Sequence, residues 1–290
     1  MKSSKVFIIL IMLISPLLFS FTITNCSSFR YIQGEGDVIT KELTLKEFNK
    51  INISCPCDVK VTYGNTQEVM ISGHLNIINM MKIYVANKTL NVDLKNGNYR
   101  NLKLSMKIII PNLVGAKSSG SGDIVIKDFS NQESINTSSS GSGDLELNNL
   151  KDIRNLKIRT SGSGDIYLNK ISSTENANIT TGGSGDILIN DIQNLINMKI
   201  SVSGSGDIKS SENISQLTNL ELRISGSGDY SGYNIVCENC TIMTSGSSDC
   251  KVYATKNLRI RTSGSGDVSY KGQPHIDFSA SGSGHISQAD

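Results

Sequence analysis

Eight aspartates in the second half of the chain are the residues whose type and spacing could do chemistry. Each closes a Gly-Ser-Gly-Asp (GSGD) motif or a close variant of it, and His285 holds a ninth place. The eight are Asp123, Asp144, Asp165, Asp186, Asp207, Asp229, Asp249 and Asp267. Carboxylate oxygens suit calcium, and an Asp in a turn can also accept hydrogen bonds from backbone N–H groups. The series therefore predicts either a cation ladder or a ladder of turn caps.

Two observations favour turn caps over calcium. Calcium-loaded stacked turns follow the nonapeptide G-G-x-G-x-D-x-U-x, whereas here the interval is about 20 residues and Asp follows the second Gly directly. Equivalent carboxylates on paired strands would lie roughly 4.8 Å apart. At an effective dielectric of ~20 they would repel by about 3 kcal/mol. Each carboxylate is therefore expected to be exposed, bonded to turn N–H groups or bridged by cations.

The spacing of the motif predicts the elements that position these aspartates. Successive intervals are 21, 21, 21, 21, 22, 20, 18 and 18 residues, with His285 counted last. A unit this short cannot enclose a core, so such units stack and bury their apolar faces against one another. Apolar residues alternate after each Asp, as in Ile166 and Leu168, and again before it, as in Leu156 and Ile158. This period of two is typical of half-buried strands, and it predicts a single all-β solenoid with coils of about 20 residues.

The GSGD motif itself is predicted to form the corner between two strands of a coil. Glycine tolerates positive φ, and Asp can bond a backbone N–H two residues on within its own turn. We therefore expect the glycines to adopt positive φ and the Asp to cap its own corner.

Residues 1–25 have the pattern of an export signal, in which two lysines precede an apolar run. Cys26 follows in a segment, Ile-Thr-Asn-Cys, that resembles a bacterial lipoprotein box, although Asn25 stands where a small residue is usual. Cys26 is therefore the predicted lipidation site, and an uncleaved anchor or a plain secreted protein are the alternatives. The predicted divisions are 1–25 signal, 26–47 polar stem, 48–115 irregular strand-rich N-terminal layer and 116–290 GSGD-repeat solenoid.

The mature chain is close to electrically neutral. Without the two lysines of the signal it carries 26 basic and 26 acidic residues. A balance near zero without a basic run argues against nucleic acid and against electrostatic binding to anionic lipid. The predicted membrane contact is therefore the N-terminal lipid or anchor alone, and no nucleic-acid partner is predicted.

Five cysteines remain besides Cys26, an odd number that cannot pair completely within one chain. Cys240 and Cys250 occupy inward positions at which other coils have Leu, Ile or Val, and this pattern predicts buried thiols. A disulfide among Cys237, Cys240 and Cys250 is an alternative, and a zinc site is another.

Carbohydrate cleavage is the enzymatic alternative, because paired carboxylates on a β-helix can hydrolyse polysaccharides. Catalysis needs two carboxylates in different environments, whereas a repeated Asp in similar corners predicts similar pKa values. The histidines have no adjacent acid or nucleophile pattern, and no catalytic residue is predicted. They are His74, His275 and His285.

The arrangement as a whole resembles the auto-transporter adhesin family with the head GIN domain, which comprises GSGD-repeat exported β-helix lipoproteins of Bacteroidetes-type bacteria. The resemblance covers roughly residues 36–285 and implies a right-handed parallel β-helix with a surface or adhesin role. It is carried by Phe48-x-x-Ile51-x-Ile53, Asp58-Val59-x-Val61, Thr89-Leu90-x-Val92, Ile110-Pro111-x-Leu113 and the GSGD series from Gly120.

Together these observations predict an exported, membrane-tethered solenoid of the cell envelope, an outer-membrane lipoprotein, that acts as a non-enzymatic structural or adhesin-like binding module. The expected partner is a glycan or matrix ligand, bound by rows of identical side chains. No cofactor is predicted, with calcium as the alternative. A polysaccharide-acting β-helix enzyme and a periplasmic protein-interaction scaffold are the other two candidate functions.

Overall fold

The structure, a computed structural model, describes residues 31–211 and 215–290. The predicted signal at 1–25 and the predicted lipidation site Cys26 lie outside the described residues. The single short helix in the described part is α1 (Leu75–Ile78). The strands are β1 (Tyr31–Gln33), β2 (Val38–Glu42), β3 (Lys50–Ile53), β4 (Asp58–Tyr63), β5 (Glu68–His74), β6 (Met81–Ala86), β7 (Thr89–Leu94), β8 (Asn98–Arg100), β9 (Ser105–Ile110), β10 (Gly115–Ser118), β11 (Ile124–Lys127), β12 (Ser130–Ser139), β13 (Leu145–Thr160), β14 (Ile166–Ser172), β15 (Asn176–Thr181), β16 (Ile187–Ile189), β17 (Ile192–Gln193), β18 (Leu195–Val202), β19 (Ile208–Ser210), β20 (Ser215–Gly226), β21 (Tyr230–Gly246), β22 (Cys250–Gly264), β23 (Val268–Lys271), β24 (His275–Ala280) and β25 (Ile286–Gln288).

Successive repeats pair in parallel and in register, so the chain forms the predicted β-solenoid, with about eight turns. The first residue after each motif stacks on its equivalent in the next coil and points inward. This column consists of Ile124, Leu145, Ile166, Ile187, Ile208, Tyr230, Cys250, Val268 and Ile286. All of them except the terminal Ile286 are buried. The core is therefore a set of apolar columns along the axis.

Two further bends divide each of the first regular coils, at the fifth and eighth residues after the Asp. In one coil these residues are Asn149 and Asp152, both at φ 53°. In the next they are Lys170, at φ 57°, and Ser173, at φ 50°. The short segment between the bends buries an apolar side chain, such as Leu150. Each of these coils therefore has three sides, where the sequence predicted at least two strands.

An asparagine ladder runs along the solenoid ten residues before each of the last six aspartates. Each amide Nδ2 donates a hydrogen bond to the Oδ1 of the Asn in the preceding coil, at 2.7–3.1 Å. The ladder consists of Asn155, Asn176, Asn197, Asn219, Asn239 and Asn257. These side-chain bonds join the coils in addition to the backbone pairing and favour a single register.

The irregular layer of residues 48–115 builds the first coils out of chain order. Strand β3 lies between β7 and β10, and β4 lies between β9 and β11. The chain therefore folds back after β4, and β7 and β9 supply the outermost coil. Antiparallel β5 pairs with β9, antiparallel β6 pairs with β7, and β2 pairs with β5. At the opposite end β24 leaves Ile276 and Phe278 37% and 38% exposed.

Candidate functional site

The eight predicted aspartates lie in one column along the corner of the solenoid. The Oδ1 of each accepts a hydrogen bond from the backbone N–H of the next coil, as between Asp123 and Asp144 at 2.8 Å. The same bond recurs at 2.8–3.0 Å as far as Asp267, which accepts the N–H of His285 at 2.8 Å. The sequence predicts a bond within one turn. The bond instead crosses between coils, because parallel stacking in register brings the next Asp N–H to the carboxylate.

The second carboxylate oxygens meet polar partners at only some of these positions. Lys209 Nζ lies 3.3 Å from Asp186 Oδ2 and 3.0 Å from Asp207 Oδ2. The Tyr167 hydroxyl donates to Asp165 Oδ2 at 3.3 Å. The backbone N–H of the next coil, together with Lys209, holds the pKa of Asp207 below its usual value of 3.8. A backbone donor and a cation thus offset part of the repulsion between stacked carboxylates.

In residues 31–211 and 215–290 no group of three or more His, Cys, Asp or Glu side chains is arranged to hold a metal ion. Calcium binding by the aspartate column stays the untested alternative to turn capping.

The column contains a further aspartate that the GSGD series did not reveal. Asp58 Oδ1 accepts the backbone N–H of Asp123 at 3.1 Å and so extends the ladder by one coil. Its corner is Cys55-Pro56-Cys57, which lies directly against the first Gly-Ser-Gly corner. The sequence signal that could have identified Asp58 is the alternation Asp58-Val59-x-Val61, which matches the strand after every motif. The glycines that mark the other corners are absent before it.

The corner glycines are required by close packing between coils, and the prediction of positive φ is wrong for the regular coils from Gly120 to Gly206. A Cβ on Gly162 would lie 1.5 Å from the backbone oxygen of Gly141, and a Cβ on Gly164 would lie 2.1 Å from that of Gly143. Since backbone stacks directly on backbone at these positions, no side chain fits. Positive φ occurs at corner glycines of the last coils, such as Gly246 at φ 125°.

The five described cysteines are buried and unpaired, and the inward positions predicted for Cys240 and Cys250 are confirmed. Burial raises the pKa of the Cys250 thiol to about 12. The Tyr230 hydroxyl is buried beside the thiols of Cys237, Cys240 and Cys250 and has no hydrogen-bond partner in the described structure. These thiols therefore serve as small apolar side chains of the core.

A surface that the sequence analysis missed lies on the other side of the Gly-Ser-Gly corner. Two outward columns, eight and six residues before the Asp positions, carry eight basic and two acidic side chains, and we name them the basic face. The first column is Lys50, Gly115, Asn136, Lys157, Asn178, Lys199, Glu221, Thr241, Arg259 and Asp277. The second is Asn52, Lys117, Ser138, Arg159, Thr180, Ser201, Arg223, Met243, Arg261 and Ser279.

Each acid on the basic face lies between two cations. Glu221 pairs with Arg223 and with Lys199, the latter at 2.9 Å. Asp277 pairs with Arg259 at 3.0 Å and with Arg261 at 2.8 Å. Both clusters therefore keep one excess positive charge. The remaining four cations have no carboxylate within 4.0 Å among the described residues; they are Lys50, Lys117, Lys157 and Arg159.

Two hollows open on this face where its side chains are small. One has a volume of about 500 Å³ and lies at Gly115, between Lys50 and Lys117. The other has a volume of about 300 Å³ and is lined by Thr180, Ser201, Ser203, Arg223, Ser225 and Met243. Both hollows place cations beside hydroxyl or amide groups, which is a suitable environment for a polar anionic ligand.

The stacked parallel coils, with a GSGD motif at one corner of each regular coil, place the protein in the class of β-solenoids. A family model described as "Putative auto-transporter adhesin, head GIN domain" matches residues 47–215 and 194–274. The chain belongs to this family.

Solved structures of two bacterial proteins share the fold. A protein described as a putative lipid binding protein from Parabacteroides distasonis is 24% identical, with a TM-score of 0.65 over 90% of this chain and 100% of that one. A putative adhesin from Parabacteroides merdae is 18% identical, with a TM-score of 0.67 over 90% and 99% of the two chains. At these identities the likeness concerns the fold alone. No curated protein sequence matched the chain.

Proposed function

We propose that this protein is an exported, membrane-tethered, adhesin-like module of the bacterial cell envelope that binds polymers without chemical turnover. The observation that carries the proposal is the register of the solenoid, which stacks the outward positions of successive coils along the axis at the strand spacing of about 4.8 Å, with Asp, Asn and Ser each recurring in a column of their own. A row of equivalent groups binds a repetitive polymer through many weak contacts whose effects multiply.

Family membership supports the adhesin-like role, and the structure of the P. merdae protein carries a similar description. The tether is proposed from Cys26 and the apolar run before it, which lie outside the described residues. Within the part of the chain that the structure describes, no helix is long and apolar enough to cross a membrane. An attachment through the N-terminus would leave the solenoid free to project from the membrane.

The arrangement of the carboxylates supports binding over polysaccharide cleavage. Along the column each Oδ1 accepts the same backbone hydrogen bond, so one oxygen of every aspartate already has a structural partner. Glycoside hydrolysis needs an acid and a base whose surroundings separate their pKa values. We therefore assign the aspartates to holding the coils together.

Adhesion of whole cells tests the proposal. Cells that express the full chain are expected to attach to glycan-coated or matrix-coated surfaces more strongly than cells that lack it. A Cys26→Ser variant is the matched control, because it keeps the solenoid and removes the proposed lipid site. We expect it to leave the membrane fraction and to lose the gain in attachment. Equal attachment of cells with and without the protein would overturn the proposed function, and a Cys26→Ser variant that stays in the membrane fraction would overturn the lipid tether.

A further inference from the structure

The basic face concentrates positive charge that the overall composition conceals. Its eight basic and two acidic side chains extend over ten paired strands, from the strand of Lys50 to the strand of Asp277. Nine strand spacings correspond to a length of about 43 Å along the axis. The aspartate column lies beyond the Gly-Ser-Gly corner, so its carboxylates do not neutralise the basic face although the mature chain is nearly neutral overall.

Four of these cations are available to a ligand. Lys50, Lys117 and Arg159 are exposed and Lys157 is half-buried, and they have no carboxylate partner among the described residues. Lys117 and Arg159 belong to one column and are two strands apart, a separation of about 10 Å. This separation is comparable with the length of a disaccharide in an extended chain. A linear polymer lying along the axis could therefore place successive anionic groups on successive cations.

The neighbouring columns are polar and uncharged. Four residues before each Asp position an outward column of serines accompanies the basic face, interrupted by Gly182. Its members are Ser54, Ser119, Ser140, Ser161, Ser203, Ser225, Ser245, Ser263 and Ser281. On the other flank lies the asparagine ladder. The serine hydroxyl groups can exchange hydrogen bonds with the hydroxyl groups of a sugar, whereas the ladder amides are already bonded to one another.

The outward columns contain no aromatic side chain, and Met243 is their only large apolar residue. Stacking of bases on aromatic rings, which single-stranded nucleic acids use, has no counterpart here. Insertion into a lipid surface would require protruding apolar groups, which these columns lack. The basic face and the serine column beside it therefore present charged and hydroxyl groups to a ligand.

We propose that the basic face binds an anionic polysaccharide, one bearing sulfate or carboxylate groups, that lies along the solenoid axis with its substituents at Lys117, Lys157 and Arg159 and in the two hollows. The inference rests on the proposed binding function and names the class of ligand. Each exposed ion pair contributes little alone, so binding depends on several contacts made together. It weakens as salt screens the charges.

Binding of fluorescent heparin, a sulfated polysaccharide, to the full chain purified in detergent tests the proposal. The test variant carries Lys117→Gln, Lys157→Gln and Arg159→Gln. The matched control carries Lys60→Gln, Lys107→Gln and Lys251→Gln, which remove the same charge from exposed positions on the face that follows the aspartate column. We expect heparin affinity to fall about tenfold or more in the test variant and less than twofold in the control. Thermal unfolding checks that both variants stay folded.

Three results would overturn the inference: equal losses in the two variants, no loss in either, or equally tight binding of uncharged dextran. Duplex DNA and vesicles of anionic phospholipid serve as competing probes. Binding of either one as tightly as heparin, with the same loss in the test variant, would contradict the assignment to polysaccharide.

Cell attachment separates this inference from the proposed function. Cells that attach through the intact protein but equally well through the test variant would contradict the polysaccharide site and leave the adhesin-like role standing. Heparin binding that depends on the basic face, without any gain in cell attachment, would support the site and contradict the adhesin-like role.

Discussion

The aspartate column and the basic face lie on either side of the same corner, and the same register stacks the residues of both. In the column, Oδ1 of each carboxylate is already bonded to the next coil, as from Asp144 to the N–H of Asp165 at 2.8 Å. On the basic face, Lys117 and Arg159 have no such partner among the described residues. A repeated side chain that bonds to its own repeat stabilises the stack, whereas one without an internal partner is available to a ligand. Repetition alone therefore does not indicate binding.

The largest expected effect comes from disturbing the corner that both columns share. Gly162→Ala would place a Cβ 1.5 Å from the Gly141 oxygen, whereas Gly182→Ala would place one 3.5 Å from Ser203 Oγ. We expect Gly162→Ala to lower the free energy of unfolding by about 3 kcal/mol and Gly182→Ala to change it by under ~0.5 kcal/mol. Thermal denaturation of both variants measures the difference. Equal melting temperatures would show that the coils are not stacked this closely.

A smaller loss is expected when one bond of the aspartate ladder is removed. Asp144→Ala deletes the acceptor for the N–H of Asp165 and should lower the free energy of unfolding by about 1.5 kcal/mol. Asp144→Asn keeps an acceptor oxygen at the same position and removes a repulsive charge, so it should cost less. Urea unfolding at neutral pH compares them. An Asn variant as unstable as the Ala variant would mean that the charge of the carboxylate matters more than its hydrogen bond.

Releasing cations on the basic face should strengthen binding modestly. Glu221→Gln frees Lys199 and Arg223 from their shared acid. We expect heparin affinity to rise about twofold to threefold, with stability changed by under ~0.5 kcal/mol, because exposed ion pairs contribute little to folding. The same titration used for the triple variants measures this rise. Unchanged affinity together with an intact fold would show that the ligand does not reach this part of the face.

The smallest expected effect is the loss of the stability contributed by Asp207 at acid pH. The pKa of Asp207 is lower in the folded protein than its usual value of 3.8, owing to the backbone N–H of Asp229 and to Lys209. The folded state therefore binds a proton at Asp207 less readily than the unfolded state does. The contribution of the ionised Asp207 to the free energy of unfolding is complete above the usual pKa of 3.8 and is lost as the pH falls through the lower pKa of the folded state. The difference in melting temperature between the wild type and Asp207→Asn should shrink as pH drops below about 4. A difference that stays constant down to pH 2 would contradict the assigned shift.

The sequence predicted the solenoid because two independent signals coincide in every repeat. The GSGD motif fixes the period, and the alternation around it, as at Leu156 and Ile158, fixes which side chains point inward. The burial of Cys240 and Cys250 followed from the same position counting. The asparagine ladder recurs at a fixed offset from the motif and could have been read in the same way.

Other features were hidden for physical reasons. Asp58 was not predicted to belong to the aspartate column, because Cys55-Pro56-Cys57 replaces the glycines and the interval to Asp123 is 65 residues. The role of the glycines was misjudged because a sequence does not show how closely two backbones approach. The basic face was missed because its cations alternate with inward residues and lie on separate coils. No basic run therefore appears in the linear sequence, and the net charge cancels over the whole molecule.

The out-of-order start of the solenoid has a consequence for how the chain folds. Strands of the regular coils pair across about 21 residues, whereas β4 and β11 pair across 65. Closing the longer loop costs about 1 kcal/mol more conformational entropy, and pairings distant in sequence slow folding. We expect completion of the first coils to be the slow step. Once they exist, each later repeat can pair with a completed strand edge, so we expect the solenoid to grow coil by coil from its N-terminal end.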